Sequence, residues 1–316
     1  MLKRLIPVLA LSAIFSVQGD EVVADSISYE TPVEWQIFSA PLPVNTFALQ
    51  GQTLWYATDE EVVAQPLRQQ RVQNYTQLGS VTGVGVTSIV TDASGNVWFG
   101  SPEGVAVRRG NSFSSYTEED GLPGNNVLSV AAAPNGGVWV GTESGAALYS
   151  NGSWQAFTTE DGLAGDKVQA LVVDSKGTVW FGTNRGISEY NGTSWTTHDM
   201  RSGLSWNDTK ALGYDERRGV VWAAVGERDV NSFDGNEWRV FMGIEPDITS
   251  IMVDTSGRVW FGTRTGLLRF NGEIWVDDIA RLGPPVAQVF GMHMDQSGNL
   301  WFAMESGVLR YSNPYR

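Results

Sequence analysis

A short motif built around Val-Trp-Phe-Gly-Thr recurs along the chain and constrains its fold more than any other feature. The motif tryptophans are separated by gaps of 43, 41, 41, 42, 38 and 41 residues, and they are Trp55, Trp98, Trp139, Trp180, Trp222, Trp260 and Trp301. A period of about 40 residues with short alternating strands is typical of a β-propeller, in which each repeat forms one four-stranded blade. The spacing therefore predicts an all-β chain that folds as a single seven-bladed propeller.

One repeat shows how the sequence divides into strands. In the third repeat, apolar segments at 127–132 and 138–142 predict two strands, with a Pro-Asn-Gly-Gly turn between them. Residues 146–149 and 153–158 predict a third and a fourth strand. The dipeptide Asn151-Gly152 between them accepts positive φ at both positions and is typical of a tight hairpin. Each repeat is thus expected to supply an inner, a second, a third and an outer strand.

The two ends of the chain carry complementary parts of one blade. The last repeat ends at Ser312-Asn313, where a hairpin turn belongs, and it lacks an outer strand. The segment from Trp35 to Phe38 precedes the first repeat and matches the outer-strand sequences at Trp154 and Trp238. We therefore expect the N-terminal strand to close the last blade, which removes the unprotected strand edges of an open array.

The first residues differ in kind from the rest of the chain. A basic start at Lys3-Arg4 precedes an apolar stretch from Leu5 to Val17, and small residues follow at spacings that suit cleavage. This pattern predicts a signal peptide over residues 1–19, with cleavage after residue 24 as the alternative, and a propeller domain over 25–316. An uncleaved anchor is the other interpretation, although the apolar stretch is short for a membrane span. Because no second apolar run follows, we expect a soluble periplasmic or secreted bacterial protein with no membrane span after cleavage.

Composition excludes several classes of function. The formal net charge is −14, from 35 acidic and 21 basic residues, which is opposite in sign to what a nucleic-acid binder needs. The chain has no cysteine, so disulfides and thiolate metal or redox chemistry are excluded. We expect no nucleic-acid partner, no cofactor and no bound metal.

The complete repeat runs from Gly-Leu through a first strand to Asp-x-x-Gly-x-Val-Trp-Phe-Gly-Thr, then Gly-Val/Leu and an aromatic residue. Its parts stand at Gly121-Leu122, Gly162-Leu163, 174–183 and 254–263. The pattern resembles the two-component regulator propeller repeat over almost the whole chain after the signal peptide. The resemblance implies the periplasmic sensor part of a hybrid histidine kinase or related regulator, which binds ligands and mediates association. Because nothing follows the propeller in this sequence, we expect no kinase or output domain, and the family supplies no catalytic motif.

Most of the repeated residues are interpreted as scaffold. The Asp-x-x-Gly segments could suggest calcium loops, but each offers one carboxylate where calcium needs several oxygen ligands, so they predict turns between strands. The motif tryptophans recur at equivalent positions, which favours packing between blades over a carbohydrate-stacking surface. Trp206 is the exception, because it stands in a blade connection where other repeats have Gly124 and Gly165. An exposed aromatic side chain in such a loop is a candidate ligand contact.

The sequence predicts no catalytic residues. His198 ends the predicted outer strand of blade 4 and His293 lies on the inner strand of blade 7, so each is interpreted as a structural residue. We therefore predict a non-catalytic binding propeller. One alternative is a lyase or hydrolase similar to seven-bladed streptogramin B lyase, although the Trp-Phe-Thr-Glu repeats and nearby histidine pair of that family are absent. A pure assembly scaffold is the other alternative.

The loops between the second and third strands diverge among the repeats, and such divergence on a repeated scaffold marks the face under functional demand. Their charges are polarised around the ring. They predict a site for a small polar or anionic ligand, or a protein partner, formed by Arg185, Arg228, Arg264, Trp206, Glu103, Glu143 and Glu305. The three arginines, on blades 4 to 6, are expected to cluster and to favour a carboxylate-bearing ligand. The alternative is a solvated rim, in which each arginine pairs with a neighbouring Glu227, Glu245 or Asp247 and contributes little.

Overall fold

The computed structural model describes residues 34–38, 43–68, 71–244, 247–270, 272, 275–277 and 287–312, together with the paired strands Phe15–Val17 and Val22–Ala24. Seven four-stranded antiparallel sheets follow one another as blades of a ring, which confirms the predicted all-β seven-bladed propeller. Apart from those two strands, the predicted signal peptide and its cleavage sites lie outside the described residues. Within the described ranges, no helix has the length and apolar character needed to cross a membrane.

The blades share one order of strands. From blade 1 to blade 7 the inner strands are Thr46–Gln50, Ser88–Thr91, Val127–Ala132, Val168–Val173, Thr209–Asp215, Ile248–Val253 and Val289–Met294. The second strands are Thr53–Ala57, Val97–Ser101, Val138–Thr142, Val179–Thr183, Val220–Val225, Val259–Thr263 and Leu300–Met304. The third strands are Val62–Pro66, Gly104–Arg109, Gly145–Ser150, Gly186–Tyr190, Asp229–Phe233, Gly266–Phe270 and Gly307–Ser312.

The outer strands of blades 1 to 6 are Gln73–Tyr75, Ser112–Tyr116, Ser153–Phe157, Trp195–His198, Trp238–Phe241 and Trp275–Asp277. Two small elements lie in the connections that leave blades 1 and 2. A two-stranded hairpin of Gln77–Leu78 and Val81–Thr82 follows blade 1, and the 3₁₀ turn Glu118–Asp120 follows blade 2.

The motif tryptophan and the residue after it bind each blade to its two neighbours. Successive side chains of a strand point to opposite faces of the sheet, so the tryptophan faces the next blade and the following residue faces the previous one. Trp139 of blade 3 accordingly meets Phe181 of blade 4 edge-on, with ring centroids 5.2 Å apart. All seven motif tryptophans are buried, and the hydrophobic core divides into seven clusters, one at each junction between blades. The predicted packing role of these tryptophans is confirmed.

The Asp-x-x-Gly segments are turns, as predicted, and they also hold the tryptophans in place. In blade 6 the backbone N–H of Gly257 donates to the carbonyl of Asp254 over 2.8 Å, which closes the turn. The Asp254 carboxylate then accepts the indole N–H of Trp260 over 3.0 Å. The same indole-to-carboxylate bond stands in blades 2 and 7, and Gln50 is the acceptor in blade 1.

The N-terminal strand Glu34–Phe38 pairs antiparallel with the third strand of blade 7, as expected. Its Phe38 is buried, with its ring 5.1 Å from that of Trp301. The junction is completed by the backbone N–H of Val44, at the entry to blade 1, which donates to the carbonyl of Met304. The first and last blades are therefore held together by both ends of the chain.

Deletion of residues 1–38 is expected to lower the free energy of unfolding by more than about 3 kcal/mol, because it removes a buried phenylalanine and a whole strand ladder. Deletion of residues 1–33 keeps the closing strand and serves as the control. Thermal and urea denaturation of the two proteins measure the difference. If both melt alike, the strand does not close the ring.

The turn carboxylates predict how stability depends on pH. Burial alone would raise the pKa of Asp254, but hydrogen bonds from Ser256, Trp260 and the backbone of Arg258 together lower it below 3.8. Asp92 and Asp295 shift in the same direction for the same reasons. A carboxyl with a lowered folded pKa stabilises the fold above its ordinary pKa, and this contribution is lost as the pH falls through the folded value.

Replacement of Asp254 by asparagine is therefore expected to cost about 1–3 kcal/mol at neutral pH, since the buried hydrogen-bond donors lose their charged acceptor. The same variant should lose less stability than the natural protein on acidification. Melting temperatures between neutral pH and the acid limb measure both effects. Equal acid sensitivity of the two proteins would contradict this role of the carboxylate.

Candidate functional site at the channel mouth

The blade connections and the loops between second and third strands lie on one face of the ring, which we call the variable face. The last residue of the motif fixes each loop. In blade 4 the Thr183 hydroxyl accepts the backbone N–H of Arg185 and donates to the carbonyl of Gly186. Equivalent bonds are made by Ser101, Thr142 and Thr263. Because a motif residue holds the loop, the two positions between are exposed and free to differ.

The inner strands begin at the same face and surround the mouth of the central channel. In blades 3 to 7 the second residue of this strand is a β-bulge, where the pairing register shifts. Three side chains at this position donate to the first carbonyl of the next blade: Thr87 to Val127, Gln169 to Thr209 and Thr249 to Val289. Around the ring the position holds Asn45, Thr87, Leu128, Gln169, Lys210, Thr249 and Phe290. Lys210 is the one cation among these seven, and its side chain is exposed.

A cavity of about 310 Å³ opens at this mouth across blades 5, 6, 7 and 1. Its polar lining includes Lys210, Asp247, Thr249, Arg264 and Asn45. Arg264 Nε lies 3.2 Å from an Asp247 carboxylate oxygen, and both side chains are substantially exposed, at 67% and 39%. An exposed ion pair of this kind is weak, and a guanidinium carries five N–H donors. The cavity therefore presents two cationic side chains beside one partly neutralising carboxylate.

The structure distributes the predicted site residues around the variable face. Arg264 lines the mouth cavity and pairs with Asp247, as the solvated-rim alternative anticipated for that residue. Arg185 and Arg228 are exposed in the loops of blades 4 and 5 but do not line this cavity. Glu245, the third acidic partner considered, lies outside the described residues. The clustering of all three arginines stays a prediction.

The three predicted acidic residues are exposed on the same face. Glu103 has a structural contact, because its carboxylate accepts the backbone N–H of Thr82 in the extra hairpin over 3.1 Å. Glu143 and Glu305 occupy the loops of blades 3 and 7. None of the three lines the mouth cavity.

Trp206 is exposed, as predicted, and the structure explains how a connection that elsewhere needs glycine accepts it. A Cβ at Gly165 of the equivalent connection would lie 2.7 Å from the Asn184 side chain in the loop of blade 4. In blade 5 that loop position is Gly226, with φ of 61°, and the indole of Trp206 lies directly against it. In blade 5 the glycine therefore stands in the loop instead of the connection, and this makes room for the aromatic side chain. Trp206 thus stands on the variable face with 55% of its surface exposed.

The two histidines lie in unlike surroundings. His198 is buried between blades 4 and 5, where its Nδ1 accepts the indole N–H of Trp238 and its Nε2 lies 3.4 Å from Glu189. His293 is exposed on the inner strand of blade 7, beside Phe47. Although part of the side chain is open to solvent, the strands around the imidazole desolvate it and lower the pKa of His293, and Asp295 opposes the shift. The two histidines therefore contact different residues and lie in different parts of the ring.

Sequence reasoning missed Lys210, and it named Asp247 only as an ion-pair partner of the arginines in the solvated-rim alternative. The sequence argument concentrated on the divergent loops of the rim. Lys210 instead lies on the inner strand of blade 5, and Asp247 immediately precedes the inner strand of blade 6. A signal was present, since aligning the repeats by the bulge position would have shown that Lys210 is the one charged residue among seven equivalents.

The fold defines a class, the seven-bladed β-propeller, and part of the chain consists of repeats of the two-component regulator type. Three segments of the chain match the family model described as Two component regulator propeller, at residues 121–144, 162–185 and 243–265. These segments include the Gly-Leu and Val-Trp motifs of blades 3 and 4 and the motif of blade 6. The resemblance seen in the sequence is thereby confirmed. No curated protein matches the chain.

Solved structures with the same fold come from several functional settings. One is the extracellular domain assigned to the hybrid two component system BT3049 from B. thetaiotaomicron, with TM-score 0.73 and 21% identity over 90% of this chain. The chain spans only 42% of that protein domain's length. Streptogramin B lyase matches with TM-score 0.69 and 13% identity, over 89% of this chain and 97% of the lyase. YCF48 bound to D1 peptide matches with TM-score 0.69 and 15% identity, over 90% of this chain and 98% of YCF48. At such identities the likeness shows the fold alone.

The two kinds of tryptophan are expected to respond differently to truncation. Trp206→Ala should change the free energy of unfolding by about 1 kcal/mol or less, because more than half of its surface already faces solvent. Trp222→Ala should cost about 3–5 kcal/mol, because it empties a junction between blades. Urea denaturation of both variants measures the contrast. A large loss for Trp206→Ala would mean that the residue is scaffold.

Proposed function

We propose that this chain is an exported, non-catalytic sensor-like propeller that binds a small anionic ligand at the mouth of its channel. The observation that carries the proposal is the placement of Lys210 and Arg264 in one cavity of the variable face. Arg264 comes from a divergent loop, so the cavity joins a variable element to the rigid inner strands. Sites on such a scaffold hold their side chains in place with little reorganisation on binding.

The chemistry of the cavity favours a carboxylate. Arg264 contacts Asp247 through Nε, which leaves its terminal N–H groups to face a planar bidentate acceptor. Lys210 adds a point charge that attracts an anion without fixing its orientation. In a chain of net charge −14, this pair is a local exception that attracts an anion toward the mouth. Phe290 gives the same cavity an apolar side for the ligand body.

The binding site extends beyond the mouth cavity if residues of the rim also contact the ligand. Trp206 lies against the loop that carries Arg228, and Arg185 stands on the next loop around the ring. We propose that these residues, with the acidic residues Glu103, Glu143 and Glu305 on other blades, set the preference among larger ligands. A protein partner that presents an acidic side chain is the alternative occupant. The structure of YCF48 with D1 peptide supports the view that a propeller of this fold can take a peptide.

Export is supported by the basic start and apolar stretch of the predicted signal peptide. It is also supported by the likeness to a domain described as extracellular. A periplasmic or secreted location suits a sensor of external ligands. The enzyme alternative rests on the likeness to streptogramin B lyase and on His293 as an exposed imidazole. An activity screen with added divalent metal tests it, and turnover that His293→Ala abolishes would overturn the non-catalytic proposal.

The binding proposal predicts that sugar acids and other small carboxylates raise the melting temperature of the protein in a thermal-shift screen. Lys210→Ala and Arg264→Ala should each weaken a hit by about tenfold or more, since a hydrogen bond to a charged group contributes roughly 1.5–3 kcal/mol. Arg201→Ala, a change of the same charge at an exposed site away from the cavity lining, is the matched control.

The paired variant Arg185→Ala, Arg228→Ala tests the wider site separately. A hit that is weakened by this variant but not by the changes at Lys210 and Arg264 would place the ligand on the rim instead of in the mouth. A hit that none of these variants affects would contradict both assignments. Capture of a protein partner without any small-molecule shift would favour the scaffold alternative.

A further inference from the structure

A second and larger cavity, of about 370 Å³, opens between blades 5 and 6, away from the channel mouth. One wall is the face of blade 5 that looks toward blade 6, and the other wall includes Val259 and Phe270 of blade 6. In antiparallel sheets, residues paired across strands share a face. Trp222 pairs with Ser232 and Ser232 pairs with Arg239, so these three form one row across this wall.

The cavity exists because blade 5 lacks a side chain that most other blades have. On the third strand, opposite each motif tryptophan, the residues from blade 1 to blade 7 are Ala64, Val107, Leu148, Glu189, Ser232, Arg269 and Arg310. In blades 6 and 7 the arginine lies over its own tryptophan ring, at 5.5 and 5.7 Å. Blade 1 also has a small residue, but there the guanidinium of Arg108 from blade 2 lies 5.0 Å from the Trp55 ring. Next to blade 5, the position of blade 6 that is equivalent to Arg108 holds Phe270, and the space beside Ser232 stays open.

The motif tryptophan of blade 5, like that of blade 4, leaves its indole N–H without an acceptor among the described residues. In blades 2, 6 and 7 that N–H donates to the turn carboxylate. In blade 5 the equivalent Asp215 is bound instead by Arg218, whose Nη1 lies 2.7 Å from the carboxylate and donates also to the carbonyl of Gly257. Trp222 is 94% buried, and its Nε1 has no acceptor in the part of the chain that the structure describes. A buried donor of this kind costs free energy unless a partner reaches it.

Charged groups of both signs line the open side of the cavity. The guanidinium of Arg239 lies 4.8 Å from the Phe241 ring and makes no hydrogen bond or ion pair with any described residue. Across the same hairpin, Asp234 and Glu237 contribute exposed carboxylates. One oxygen of Asp234 accepts two backbone N–H groups of its own turn, which leaves the other oxygen available. The walls between these charges are apolar.

We infer that this inter-blade cavity binds a small zwitterion with an apolar body, the chemical class of the apolar α-amino acids. The ligand carboxylate meets Arg239, the ammonium group meets Asp234 and Glu237, and the side chain fills the space beside Ser232 against the Trp222 ring. The volume lies near the lower end of the range of roughly 300–1,000 Å³ for small-molecule sites, which suits a ligand of this size. The site is independent of the proposed function at the channel mouth.

Isothermal titration calorimetry with L-phenylalanine tests the inference, using 3-phenylpropanoate and 2-phenylethylamine as probes that each lack one charge. The titrations use the Lys210→Ala, Arg264→Ala protein, so that carboxylate binding at the channel mouth does not contribute to the heat. L-Phenylalanine is expected to bind, and each singly charged probe is expected to bind at least about tenfold more weakly, because a charged hydrogen bond is lost. Absence of L-phenylalanine binding overturns the inference. Equal binding of the three probes also overturns it, since the two charges would then not be recognised.

Substitutions of residues that line the cavity test whether L-phenylalanine binds there. Ser232→Leu places in blade 5 the residue that blade 3 has at Leu148, so it should abolish binding while the protein stays folded by circular dichroism. Ser232→Ala keeps the space open and should bind as the natural protein does. Arg239→Gln, at an exposed position that the fold does not depend on, should weaken binding about tenfold or more.

Arg201→Ala, at an exposed position that lines neither cavity, is the matched control and should leave L-phenylalanine binding unchanged. Binding that persists at full strength in both Ser232→Leu and Arg239→Gln would place the amino acid elsewhere and overturn the assignment. Binding lost in the channel-mouth variants alone would do the same.

Discussion

The contact between the motif tryptophan of one blade and the sheet of the next is the interaction on which the whole ring depends. A four-stranded sheet with two apolar faces cannot bury both faces by itself. Here each blade covers one face with its tryptophan against the following blade and the other with the neighbouring motif residue against the preceding blade. The edge-on contact between Trp139 of blade 3 and Phe181 of blade 4 is an example in which both residues are aromatic. Because every junction repeats it, and Phe38 packs on Trp301 where the ring closes, each pair of neighbouring blades shares one apolar cluster.

This dependence separates what the sequence could predict from what it could not. The blade number, the turns and the closing strand follow from residues that recur at fixed spacing, because packing at each junction demands them. Arg185 and Arg228 could be placed on the variable face by the same spacing, but whether their side chains meet depends on loop conformations that no repeat specifies. Lys210 was hidden because an inner-strand position is expected to be scaffold, although the bulge at its position turns the residue toward the mouth.

The cavity between blades 5 and 6 shows a second limit. Alignment of the repeats shows that Ser232 is small, but Ala64 at the equivalent position of blade 1 is small as well. The sequence alone does not tell which of the two positions borders a cavity. Only the structure shows that Arg108 reaches the Trp55 ring from the neighbouring blade, while Phe270 leaves room beside Trp222. An empty volume is a property of two blades together. Predicting such a cavity therefore requires the three-dimensional geometry of both blades, whereas a blade can be recognised from the sequence of its own repeat.

The contact between Trp206 and Gly226 makes a residue of the blade connection dependent on a residue of the neighbouring loop. In a blade that has a side chain such as Asn184 in its loop, a tryptophan in the preceding connection collides with that side chain. A glycine in the loop is tolerable by itself, whereas the tryptophan is not. The residue of the connection and the residue of the loop must therefore be compatible with each other, and a change at one position has to match the other. Transfer of the exposed aromatic residue to another blade would require the loop glycine to be moved with it.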